Sequence, residues 1–129
     1  MSLPTGVWKL NVNGTEDSLT IQVPPNQQGF FSGHLLSREC SGFWDEASQT
    51  ITFTDQVFPG GGGGVVGPLT IALFKGHLFR SPPNPEPGRD VVATLAGFVQ
   101  VTEGAAFSPA VSTSRRNVFG WFAQITEVL

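Results

Sequence analysis

The side chains best suited to chemistry are two histidines in similar settings. Each histidine directly follows a glycine, His34 in the segment FSGHL at 31–35 and His77 in the similar segment FKGHL at 74–78. If both imidazoles faced the inside of a sheet structure, they would be able to hold a metal ion or move a proton. The short histidine spacings of common metal sites are missing. We therefore expect outward-facing, solvated histidines, and keep a barrel enzyme using His34 and His77 as the less favoured alternative.

A metal site or a nucleophilic pair would also need groups near these histidines. Glu39, Cys40 and Asp45 are the candidates for a third ligand, and Cys40 is the only cysteine. A neighbouring carboxylate raises the pKa of a thiol, which favours an unreactive strand residue over a nucleophile. We therefore assign no catalytic residue, metal ligand or cofactor. A single cysteine forms no intramolecular disulfide, which is typical of a reducing compartment.

Charge and composition narrow the function classes further. Charged residues make up 13% of the 129 residues, against about 25% in typical globular chains. This low charge predicts either a surface of uncharged polar groups or a homo-oligomer. The net charge of −3 offers no basic surface for nucleic acid or an anionic membrane. The first residues do not resemble a signal peptide, and no apolar run is long enough to span a membrane, so we expect a cytoplasmic protein.

Apolar and polar residues alternate along most of the chain, which is typical of half-buried strands. The alternation predicts eight strands, at 7–12, 18–23, 29–36, 38–45, 49–54, 69–80, 91–101 and 117–126. Three longer loops are expected at 58–67, 81–88 and 102–116. The first contains five consecutive glycines at 60–64 and should be mobile. The third has room for a single helical turn at 107–113.

Glycine recurs inside the predicted strands, although it weakens a strand unless geometry requires it. The repeated positions are Gly33, Gly42, Gly76, Gly97 and Gly120. Residues without a side chain let strands coil sharply, as a small closed barrel demands. We therefore predict an all-β, eight-stranded antiparallel up-and-down (meander) barrel, calycin-like, with residues 1–129 forming one domain. A β-sandwich is the alternative.

The first 35 residues resemble the opening of avidin-type and other calycin barrels. The resemblance rests on three stretches: TGVWKLN at 5–11, LTI at 19–21 and GFFSGHL at 29–35. The Gly-x-Trp opening also occurs in lipocalins and fatty-acid-binding proteins, where the tryptophan plugs one end of the barrel. The resemblance thus implies a barrel with Trp8 at one end.

The same resemblance implies possible ligand contacts. Asn11 matches the first-strand Asn that avidins offer to biotin, and Ser18 matches the Ser that follows the turn in avidins. Leu35 occupies the place of the third-strand Tyr, and the chain contains no Tyr. The resemblance therefore predicts the fold and leaves the ligand open.

We predict that the protein binds a small apolar or amphipathic molecule at the barrel mouth. The loops expected around this pocket are 60–64, 82–87 and 102–116, with the glycine-rich loop gating access. The residues expected to line it are Trp8, Asn11, Trp44, Phe79, Phe98 and Trp121. The alternative is a structural protein whose barrel walls pack together in an oligomer.

Overall fold

The fold was determined as a computed structural model that describes residues 2–22, 24–36, 38–57, 69–83, 86–108 and 111–128. For residues 56, 57, 69, 103–108, 111–115 and 128 it describes the backbone alone. The strands are β1 (Gly6–Val12), β2 (Thr15–Ile21), β3 (Phe30–Leu35), β4 (Arg38–Asp45), β5 (Thr50–Val57), β6 (Leu69–Ser81), β7 (Asp90–Ser108) and β8 (Val111–Val128).

Each strand pairs antiparallel with the next along the chain, and β8 pairs with β1, so that the sheet closes into a barrel. The predicted eight-stranded up-and-down barrel is confirmed, and the sandwich alternative is wrong. Among the described residues, each strand therefore has a neighbouring strand on both sides over part of its length, which reduces the exposed edge of the sheet. A helix long and apolar enough to cross a membrane does not occur in the described ranges.

The meander defines two ends of the barrel. Strands β1, β3, β5 and β7 finish at one end, here called the mouth, and β2, β4, β6 and β8 finish at the other, the base. The Asn13–Gly14 turn joins β1 to β2 at the mouth, with φ of 49° and 87° at its two residues. Both angles lie in the left-handed region that a tight hairpin turn requires and that Asn and Gly tolerate.

Aromatic rings fill the middle of the interior. Phe53 and Phe74 stack with centroids 4.5 Å apart, and Trp121 meets them edge-on at 5.6 and 5.5 Å. The Trp121 indole N–H donates to the carbonyl oxygens of Lys75 (3.1 Å) and Phe98 (2.9 Å) on adjacent strands. A buried indole N–H needs such a partner. The rings of this layer are therefore closely packed, and the one indole N–H among them has hydrogen-bond acceptors.

The segment before β1 packs against the base of the barrel. Trp8 is fully buried, and its indole N–H donates to the carbonyl of Pro4 at 3.2 Å. Arg80 forms an ion pair with Glu127 at 3.0 Å, and also donates to the carbonyl of Ser2 at 2.9 Å. The segment before β1 is thereby held across this end. Trp8 thus lies at the base of the barrel.

Four of the five mid-strand glycines lie where a neighbouring strand approaches too closely for a side chain. A Cβ on Gly33 would lie 2.5 Å from the Thr20 carbonyl oxygen, and one on Gly76 would lie 2.8 Å from that of Ala96. On Gly42 and Gly97 it would overlap the carbonyl oxygens of Thr52 and Lys75. These glycines therefore permit strand coiling, as predicted. Gly120 differs, because a Cβ there would meet nothing within 4 Å.

The third predicted loop is wrong, because 102–116 is mostly strand. The ladder between β7 and β8 continues past the mouth, from Thr102↔Arg116 to Ala106↔Ser112 and Ser108↔Val111. The last pair between β6 and β7 is Leu69↔Gly104. Backbone pairing needs no large side chain, so the small residues of this segment are able to form strands. They extend a hairpin in place of the expected loop and of the expected helical turn at 107–113.

Candidate ligand cavity at the barrel mouth

A cavity of about 340 Å³ opens at the mouth, above the layer of aromatic rings. Residues from several strands form its walls, and most of these residues are apolar. The lining residues are Leu10, Val12, Asn13, Thr15, Asp17, Leu35, Arg38, Asp55, Thr70, Ala72, Phe74, Val99, Val101 and Phe119. The size is at the lower end of typical small-molecule sites, which span about 300–1,000 Å³. The barrel interior is therefore filled in its lower part and open at the mouth.

A bidentate ion pair forms part of the cavity wall. Arg38 donates from Nε to Asp55 Oδ1 at 3.2 Å and from Nη2 to Oδ2 at 2.9 Å. Asp55 is only 7% exposed and is the one polar residue in the buried set of the described chain. A paired guanidinium is what allows a carboxylate to lie so deep. The hydrogen bond to Asp55, opposed by burial and assisted by the charges of Asp55 and Asp17, raises the pKa of Arg38 above its ordinary value.

A second carboxylate, Asp17, borders the same cavity. It faces inward from β2 at the position two residues before the fully buried Leu19. One of its oxygens, Oδ1, accepts the backbone N–H of Ser18 at 2.7 Å. In the described part of the chain, its other oxygen takes no hydrogen bond and no ion pair within 4.0 Å. Asp17 is thus the cavity acid with an open acceptor.

The three predicted tryptophans face inward but lie below the cavity. Trp8 and Trp44 are buried toward the base, and Trp44 donates its indole N–H to Glu46 Oε2 at 2.6 Å. Trp121 belongs to the middle layer of rings. None of them is among the residues that surround the mouth cavity.

The other three predicted residues face outward. Phe79 and Phe98 are 58% and 48% exposed, and Asn11 uses its side-chain oxygen to accept the Gly14 N–H at 2.9 Å. Strand alternation places Asn11 on the opposite face from Trp8, three residues earlier. Ser18 also alternates away from the inward Leu19. None of these residues surrounds the mouth cavity. Contact of any of the six with a ligand stays a prediction.

The predicted surrounding loops divide between the two ends. Strand β6 ends and β7 begins at the base, so the described residues 82, 83, 86 and 87 do not lie beside the mouth as predicted; residues 84 and 85 lie outside the described ranges. The glycines at 60–64 lie outside the described residues; the strands they connect, β5 and β6, finish and begin at the mouth. The mouth is bordered on another side by the extended β7–β8 hairpin.

The described structure does not bring His34 and His77 together with the other groups that a metal site or a proton-transfer site would need. His34 and His77 face outward on β3 and β6, which are not neighbours in the barrel. The described residues contain no group of three His, Cys, Asp or Glu side chains placed to hold a metal ion. Cys40 faces inward and is 4% exposed; burial, and then the charge of Asp55, raise the pKa of its thiol to about 11. Such a thiol is protonated and unreactive near neutral pH.

Comparison with protein-family models, curated proteins and solved structures finds no match for this chain. The likeness of the opening residues to avidin-type and calycin barrels therefore stays a prediction. The cavity, its ion pair and the open carboxylate are the observations from which a function can be argued.

Proposed function

We propose that the protein binds a small, largely apolar molecule in the mouth cavity. The observation that carries this proposal is the cavity itself, about 340 Å³ of open space bordered mainly by inward-facing side chains, with the aromatic ring of Phe74 among them. A core that needed only stability would fill this space, because voids forfeit contact energy. Residues such as Leu10, Val99 and Val101 offer apolar walls, whose burial against a ligand contributes roughly 25 cal/mol per Å².

The resemblance of the first 35 residues to calycin barrels supports the same proposal. In lipocalins and fatty-acid-binding proteins, which share the Gly-x-Trp opening, that tryptophan plugs one end of the barrel. In this chain Trp8 is buried at the base, and the cavity opens at the mouth. A fold supports many functions, so the resemblance adds to the argument from the cavity and does not replace it.

Filling the cavity is expected to abolish binding of a neutral apolar probe. Ala72→Phe places a ring where the half-buried Ala72 borders the cavity. The probe is N-phenyl-1-naphthylamine, which is uncharged at neutral pH and fluoresces brightly in apolar surroundings. We expect saturable fluorescence with the wild-type chain, and a loss of affinity on the order of tenfold or more in the variant, since each 1.4 kcal/mol of lost contact is tenfold.

The matched control is Leu73→Phe, which adds a ring to the neighbouring, outward-facing position of the same strand. It should bind the probe like the wild type, and circular dichroism should show both variants folded. No saturable probe binding by the wild type, or equal binding by the folded Ala72→Phe variant, would contradict the proposal.

A second candidate function is self-association, favoured by an apolar groove on the outer wall. Phe43 and Phe98 border this groove of about 470 Å³, together with Asp45 and Lys75. The rings of Phe30 and Phe43 lie 5.6 Å apart on the same wall. Because the groove carries a cation as well as an anion, two copies related by a twofold axis would be able to bring Asp45 of one against Lys75 of the other.

Light scattering tests this second candidate. We expect the wild-type mass to be twice that of the chain, and Phe98→Ser to shift it toward the monomer because the groove loses an apolar wall. Phe79→Ser removes another exposed ring, one that does not line the groove, and should leave the dimer intact. A wild-type protein that is monomeric at all concentrations measured would exclude the idea.

A further inference from the structure

The ionisable groups of the mouth cavity carry an excess of negative charge. Two carboxylates, Asp17 and Asp55, and one guanidinium, Arg38, are the only ionisable side chains among its described lining residues. The remaining lining residues are apolar or neutral. In a small cavity with low-dielectric walls, such an imbalance is felt more strongly than on an open surface.

Two of the five N–H donors of Arg38, the one cation among the described lining residues, are engaged by a carboxylate. Both the Nε and Nη2 groups of Arg38 donate to Asp55. A ligand carboxylate that drew Arg38 away would leave Asp55, 7% exposed, without its partner. Uncovering a buried charge in this way is costly. An anion that left the pair intact would have to share Arg38 with Asp55 and would also meet the charge of Asp17. Both routes disfavour an anionic head group.

Asp17 is the complementary acceptor. Its Oδ1 is held by the Ser18 N–H at 2.7 Å, which fixes the carboxylate against the strand. Its Oδ2 is left without a hydrogen bond within the described ranges. Because Asp17 borders the same cavity as Leu10, Val101 and Phe119, a cation placed there would have apolar walls beside it.

We propose that the ligand of the mouth cavity is an amphipathic organic amine, whose ammonium group lies against Asp17 and whose apolar body lies among Leu10, Val101 and Phe119. This inference rests on the proposed binding function and adds the chemical class of the ligand. A protonated amine donates to the open carboxylate oxygen and offsets the excess negative charge. It leaves the Arg38–Asp55 pair in place.

The test is a matched series with one apolar body and three head groups: octylamine, octanol and octanoate. Each compound displaces N-phenyl-1-naphthylamine from the wild-type protein at neutral pH and moderate ionic strength. We expect octylamine to bind on the order of tenfold more tightly than octanol, the range of a charge-assisted hydrogen bond. Octanoate should bind more weakly than octanol.

Two variants separate Asp17 from general electrostatics. Asp17→Asn should bring octylamine to within about twofold of octanol, because an amide lacks the charge that strengthens the contact. Glu16→Gln removes the same charge from the adjacent, exposed residue and should keep the preference for the amine. Octanol binding should persist in both variants.

The outcomes distinguish the two proposals. If the wild type does not bind the fluorescent probe, the proposed binding function fails. If the probe and octanol bind but octylamine shows no advantage, or octanoate binds best, the binding function stands and the amine inference is overturned. An equal loss of the preference in Asp17→Asn and Glu16→Gln would also overturn it, since the cavity carboxylate would then have no special part.

Discussion

Gly97→Ala is expected to lower the free energy of unfolding by about 3 kcal/mol, near the upper range for overpacking a closely fitted site. A Cβ at this position would overlap the Lys75 carbonyl oxygen, and would lie 2.7 Å from Gly76 Cα. Both obstacles are backbone atoms, so no side-chain rotation relieves the contact. The strands themselves would have to separate.

The same separation would disturb the middle layer of the core. The Lys75 carbonyl oxygen that the new Cβ meets also accepts the indole N–H of Trp121 at 3.1 Å. Trp121 in turn packs edge-on against Phe53 and Phe74. A shift of β6 away from β7 would weaken that hydrogen bond and loosen the stacked rings, which is why the cost should exceed that of a local surface change.

Gly120→Ala is the matched control for this prediction. Gly120 is another mid-strand glycine, but an added Cβ meets nothing within 4 Å. Replacing glycine where there is room reduces the entropy of the unfolded chain, so stability should stay within about 1 kcal/mol of wild type, in the favourable direction. Urea unfolding monitored by tryptophan fluorescence measures both variants. Equal stabilities would show that the β6–β7 approach at Gly97 is looser than described.

The glycine pattern shows how far the sequence alone leads. Alternating residues predicted the eight strands and the meander, and the mid-strand glycines predicted barrel coiling. The pattern did not separate Gly97 from Gly120, because spacing along a strand says nothing about how close the neighbouring strand comes. That distance depends on register and twist across strands far apart in the chain, which only the closed barrel defines.

The candidate site was harder to predict. Strand alternation explains why the predicted residues lie away from the mouth cavity, and why its two carboxylates were not predicted. Phe79 and Phe98 each lie beside another large apolar residue, so a period of two does not decide which of the neighbours faces inward. Asn11 was assigned by resemblance, although its odd separation from Trp8 already places it on the opposite face. In these cases the residue type suggested a ligand contact, whereas the position along the strand determines that the side chain faces outward.

The polar residues of the cavity carried a usable signal. Asp55 continues the inward series of Ile51 and Phe53, and Asp17 precedes Leu19 and Ile21 by the same step. Extending each alternation by one position would have placed both carboxylates inside the barrel. The pairing of Asp55 with Arg38 could not be predicted in this way, because it joins residues on different strands.

Arg38→Met is expected to destabilise the protein by about 2 kcal/mol, below the usual range for a fully buried pair because Arg38 is partly in water. The side chains of Arg38 and Asp55 are 41% and 9% exposed. Methionine keeps the apolar stem against the cavity wall, so the variant removes mainly the guanidinium. The loss then reports on a carboxylate left in the barrel without its cation.

The double variant Arg38→Met/Asp55→Leu distinguishes a stranded charge from lost packing. With both charges replaced by apolar groups, stability should return to that of the wild type or rise above it. Urea unfolding of the wild type, both single variants and the double variant gives the coupling free energy between the two sites. A double variant no more stable than Arg38→Met would mean that the stem of Arg38 matters more than its charge.

Arg89→Met supplies the exposed counterpart. Arg89 lies 3.5 Å from Glu86 in an ion pair whose side chains are 73% and 77% exposed, and such pairs contribute little because water and salt screen them. The variant should therefore unfold at nearly the wild-type urea concentration. The contrast with Arg38→Met isolates burial as the cause, since both substitutions remove one guanidinium from one carboxylate. It follows that the Arg38–Asp55 pair is a fixed wall of the mouth cavity, and that a ligand must be accommodated around it.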